Sequence, residues 1–182
     1  MIGSLETIGE PSQSGFNAGY LTHLYLIRTN DLAYVHSPEK SPFLPVNALG
    51  IQPGSVITEF LLKPKTATFT EGDSQTEAGT TYNASIVVPL KGSRADLVTW
   101  IHQNSKRRYI VLTRDTLGNC YMVGSYDNGA RIAWARQVTG TSTQQLTINL
   151  VNWHPIPFIP TISLDEIFPH REFDHSFDLS FS

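Results

Sequence analysis

The chain holds a single cysteine, Cys120, and is short of charge. One thiol excludes an internal disulfide framework. Charged residues make up 16% of its 182 positions, against about 25% in ordinary globular domains. The 13 basic and 16 acidic residues leave a net charge of -3, which excludes a general nucleic-acid binder. No apolar run approaches the roughly 18 residues of a membrane-spanning helix, so no membrane partner is expected. Met1 to Glu6 show no basic stretch followed by an apolar run, so no secretory leader is expected. GxSxG, HExxH, P-loop and GxGxxG patterns are all missing, and the six histidines are scattered. Neither an enzyme nor a cofactor is therefore expected.

What the chain does have is enough apolar material for one domain. Hydrophobic residues reach 40%, while Ser and Thr, numbering 34, supply most of the polarity. Residues 1–19 are rich in Gly, Ser, Pro and Asn and read as an N-terminal arm. Residues 20–160 read as a β-sandwich domain, and residues 161–182 as an acidic, Phe-rich C-terminal arm.

Within the domain, period-two alternation predicts strands. The bulky run 20–28 is one, and 55–63 is another, with Val56, Phe60 and Leu62 on one face. A short strand over 66–70 precedes a polar turn at 72–76. The clearest alternation is Tyr82, Ala84, Ile86, Val88 and Leu90, with Pro89 ending the strand or marking an edge. A helix is predicted over 93–104, capped by Ser93, with Leu97, Trp100 and Ile101 as its apolar stripe. A three-strand meander over 107–136 follows. Its segments Tyr109 to Leu112 and Cys120 to Val123 are apolar on both faces, and Asn128-Gly129 reads as a hairpin turn. A last strand spans 144–151. Four prolines between 37 and 54 predict a long loop. The fold class is mainly β: a sandwich or barrel of seven or eight strands with one flanking helix.

Several residue groups invite a chemical reading. His170, Asp174, His175 and Asp178 carry metal-binding side chains, but their spacing matches no standard site, and an exposed arm is the plainer reading. Asp115, Gly118 and Asn119, like Asp127 to Gly129, have turn composition and lack the calcium-loop pattern. Cys120 reads as a buried structural thiol, since nothing pairs it with a base. Charge is uneven. Residues 94–136 hold seven basic side chains, Arg107 and Arg108 among them, against three acidic ones. Residues 161–182 hold five acidic ones against Arg171. Unlike patches of this kind suit head-to-tail contact between copies. Phe173, Phe177 and Phe181, spaced by four in the acidic arm, suit either a short helix or an arm docked on another subunit.

From Ala67 to about Phe158 the chain resembles the tail-tube and tail-ring proteins of long-tailed bacteriophages. The resemblance rests on the long alternating strand Tyr82 to Leu90, the lone helix after it, and the run Tyr109-Ile110-Val111-Leu112-Thr113-Arg114-Asp115 with Gly118, Asn119, Tyr121, Val123 and Gly124. It extends to the alternating strand after residue 143. The resemblance implies a virion structural protein made in a bacterial host. Copies would continue one another's sheets into rings, commonly hexameric, around a channel that DNA passes without specific binding. Other phage tail proteins would be its partners. Pro42, Phe43 and Pro45 of the loop, Arg107 and Arg108, and Phe173, Phe177 and Phe181 are then the expected subunit-interface residues. A second class stays open: a monomeric carbohydrate- or ligand-binding sandwich, with Trp134 or Trp153 on an exposed concave face.

Overall fold

A computed structural model describes residues 20–36, 43–45, 48–63, 65–91, 95–139 and 141–159. Eleven strands and one α-helix lie among them. The fold is mainly β and sandwich-like, as the alternation predicts.

The centre of the fold is β7 (Arg108–Asp115), paired antiparallel along one edge with β1 (Leu21–Arg28). Both strands alternate, and both alternations are apolar. Leu24, Leu26, Tyr109 and Val111 enter one core, while Tyr25, Ile27, Ile110 and Leu112 enter a second on the other face. Each such side chain stabilises the fold by about 1.5–3 kcal/mol relative to exposure.

The first core is closed by β6 (Gly79–Lys91), β9 (Ala130–Thr139) and β10 (Thr141–Asn152), through Ala84, Ile86, Val88, Ile132, Leu146 and Ile148. The helix α1 (Ala95–Asn104) adds Leu97 and Ile101, and Trp100 meets Phe60 edge-on at 5.5 Å. Ser93, the expected cap, lies outside the described residues. The second core is roofed by the predicted loop. That loop contains a hairpin partner, β3 (Leu49–Ile51), paired with β2 (Leu32–Val35), and Leu44, Ala48 and Leu49 bury beneath it.

Strand order runs β11 (Phe158–Ile159), β8 (Cys120–Val123), β7, β9, β10, β6, β5 (Thr68–Thr76), with β1 on the other edge of β7 and β4 (Thr58–Leu61) outside β1. The expected meander is corrected here. β8 (Cys120–Val123) and β9 do not pair with each other; both pair with the same edge of β7. Val123 stands opposite Val111, and Ala130 stands opposite Tyr109. One edge of β7 is thus shared by two strands of the same sheet, separated by residues 124–129. Asn128-Gly129 therefore closes no two-residue hairpin. Gly124 is required here: its φ is +109°, and a Cβ would come within 2.9 Å of the Tyr109 carbonyl oxygen.

Two other expectations change. The polar stretch after residue 70 is strand, because β5 (Thr68–Thr76) pairs with β6 along its whole length. Its order comes from the ladder and not from burial, which is why the hydrophobic period misses it. Val56 lies outside β4 and is exposed, whereas Phe60 and Leu62 pack on the first core. Pro89 does mark an edge, because β5 covers β6 only as far as Val87. β11 (Phe158–Ile159) is an unexpected short strand on β8.

Candidate functional site

Three surfaces carry exposed features that the cores do not explain. The first is aromatic. Phe43, 67% exposed, bridges to Phe158 and stacks on it with ring centres 6.0 Å apart. Phe158 meets Tyr121 at 4.9 Å, and Tyr121 meets Phe69 at 5.2 Å. The row runs from the Pro-rich segment across β11 and β8 to β5. Pro45 is exposed beside it, and its carbonyl accepts the Ala48 N–H at 3.0 Å. Of the expected interface residues, Phe43 and Pro45 therefore belong here. Pro42, Phe173, Phe177 and Phe181 lie outside the described residues, as does the His170 to Asp178 cluster.

The second surface is basic. Arg107 and Arg108 are exposed between α1 and β7, beside Lys106. They lie at the start of β7, while Tyr121 pairs with Thr113 near its end. That separation is about 17 Å along the strand. The expected interface residues thus fall at two places, aromatic and basic, and not in one patch. Arg28 and Arg107 lower the Tyr109 hydroxyl pKa, but burial outweighs them and holds it above its ordinary value.

The third surface is a groove of about 770 Å³. Its walls are the 124–129 insert, the end of β10 with residues 153 and 154, and the end of β2 with His36. Trp153, 71% exposed, and Tyr126, 61% exposed, stand in it. Trp134 takes the opposite part. It points inward with its indole N–H buried and unpartnered, and the Arg136 guanidinium lies 4.8 Å over its ring. Of Trp134 and Trp153, the alternatives for an exposed concave face, Trp153 lines the groove. No sequence signal groups Trp153 with Tyr126, because the insert that joins them follows from the way β8 and β9 divide one edge of β7.

The turn after β7 is structural. The Asp115 carboxylate accepts the Leu117 and Asn119 N–H groups at 2.9 and 2.8 Å, and the Asn119 side-chain amide at 2.8 Å. The Tyr121 hydroxyl donates to it at 3.5 Å, and burial followed by this carboxylate raises the Tyr121 pKa. An acid so fully occupied by donors has no lone pairs left for a cation. Among the described residues no three His, Cys, Asp or Glu side chains form a metal cluster. Cys120 is buried in the second core, and burial pushes its thiol up to about 11.

Three strands lie outermost in the sheet; β11 is bridged at Phe158 by Phe43, and the other two, β5 and β4, are open ends among the described residues. β5 pairs only with β6, and β4 only with β1, among the described residues. The outer edge of β5 runs nine residues without lysine or proline, the two residues that commonly guard such edges. No family model matches the chain, and no curated protein or solved structure matches it either.

Proposed function

We propose that the protein is a structural subunit that assembles with copies of itself into rings, as a phage tail-tube or tail-ring component of the virion. The observation that carries this reading is the pair of open sheet ends, β5 and β4, on one continuous sheet. Two different edges that meet between copies make a heterologous contact, and such a contact closes into a ring when its rotation permits. The exposed row of Phe43 and Phe158 adds apolar surface for a neighbour. Residues 161–182, which the sequence alone suggests as an arm, hold further acidic and phenylalanine side chains. A net charge of -3 is compatible with a channel that DNA passes without sticking, and tail proteins above and below would complete the tube.

Light scattering with negative-stain imaging of the purified chain tests this reading. The expected result is rings or tubes of defined symmetry. Thr70→Lys with Ser74→Lys, both exposed on β5, should disperse them while the circular dichroism spectrum is unchanged. A monomer at every concentration, alone and with other tail components, would refute the proposal.

A further inference from the structure

The groove beside the 124–129 insert is separate from the sheet ends and from the aromatic row. It brings two exposed rings, Trp153 and Tyr126, next to one carboxylate, Asp127, and two imidazoles, His36 and His154. Among the described residues no lysine or arginine lines it. A phosphate or nucleotide ligand would need such cations or a set of converging N–H donors. A lipid would need an apolar lining, and here Ser125, Asp127, Asn128 and Asn152 interrupt it. Flat aromatic faces among neutral and acidic hydrogen-bonding groups match a sugar ring. Its C–H face lies on an indole, and its hydroxyls donate to a carboxylate or exchange bonds with amides.

Hydrogen bonds tie the walls of the groove to one another. The Asn128 side-chain amide donates to the Val151 carbonyl at 2.7 Å and so ties the insert to β10. The Asn128 N–H donates to Ser125 Oγ at 3.1 Å. The Asn152 amide meets the His154 ring at 3.0 Å and holds the turn that carries Trp153. Walls tied in this way lower the ordering cost of binding. The volume of about 770 Å³ falls in the range of roughly 300–1,000 Å³ usual for small-molecule sites.

We propose that this groove binds a neutral oligosaccharide, with Trp153 as the stacking platform, Tyr126 as its flanking ring and Asp127 as the hydroxyl acceptor. The proposal is independent of ring assembly, since a ring subunit and a monomer would present the same groove.

Calorimetric titration of the full chain with cellohexaose, chitohexaose and maltohexaose tests it. At least one should bind with a Kd of about 10 μM to 1 mM. Trp153→Ala and Asp127→Ala should each weaken that binding at least about tenfold. Both side chains are exposed, so melting temperature should hold. Three results would overturn the proposal: no binding of any of the three at about 10 mM, binding that survives Trp153→Ala, or competition by inorganic phosphate. A loss of self-association in Trp153→Ala without oligosaccharide binding would overturn it too, and would assign the groove to a contact between copies.

Discussion

Arg108 and Arg131 stand directly opposite each other across β7 and β9. Both are exposed, and in antiparallel register their side chains share a face. Like charges so placed destabilise a sheet, and Lys106 and Arg107 precede them on the same connection. Arg131→Glu should therefore stabilise the chain by roughly 0.2–1 kcal/mol at low salt. The gain should shrink as ionic strength rises. Urea unfolding at two salt concentrations measures both, and an unchanged midpoint at low salt would contradict the argument.

The glycines differ in what they tolerate. Gly124→Ala meets both a positive φ and the Tyr109 carbonyl oxygen, and it should cost at least about 2 kcal/mol. Gly54 has φ +82° but open space around it, so Gly54→Ala should cost only about 1–2 kcal/mol. Chemical denaturation of the two variants side by side should show that order. The reverse order would mean that the break between β8 and β9 is not held by Gly124.

Asp115 organises its turn through two backbone N–H groups and one side-chain amide. Asp115→Ala strands those donors and should destabilise by about 2–3 kcal/mol. Asp115→Asn keeps one acceptor oxygen and should lose less. Adding calcium should leave the melting temperature of the native protein unchanged, since the carboxylate already serves these donors. A calcium-dependent rise would sink the structural account of this turn.

The Cys120 thiol should be inert in the native protein. Held at about 11 by burial, it is almost wholly protonated at pH 8, so a disulfide reagent should label it only on unfolding. The same shift sets a pH dependence. In the unfolded chain the thiol ionises near its ordinary value of about 9, while the folded one keeps its proton. The folded state therefore loses stability as pH rises from about 9 to about 11. Cys120→Ala should flatten that part of the curve, and an equally steep fall in the variant would rule out the thiol as its source.

Much of this fold is legible in the sequence where burial imposes a period. Ile86 and Val88, Ile148 and Leu150, and Leu97 and Ile101 all occupy the buried positions that their spacing predicts. The double-sided character of Tyr109 to Leu112 and of Cys120 to Val123 also reads correctly, since each strand divides between two cores. What escapes is order that comes from pairing. β5 is polar and exposed, and only its ladder to β6 makes it a strand. The pairing of β8 and β9 along one edge of β7 depends on a non-local choice that Asn128-Gly129 does not encode. The groove at Trp153 follows from that choice and is hidden for the same reason.

The placement of β7 between β1 and the β8–β9 path also constrains how the chain matures during synthesis. β1 is made early, yet its longer partner lies some ninety residues downstream, as the His23 carbonyl accepting the Thr113 hydroxyl illustrates. Until β7 leaves the ribosome, β1 has only the short β4 beside it, with Leu24 and Leu26 lacking their core. Closure across so long a separation is slow. Leu24 and Leu26 of β1 therefore stay without most of their core until β7 is made.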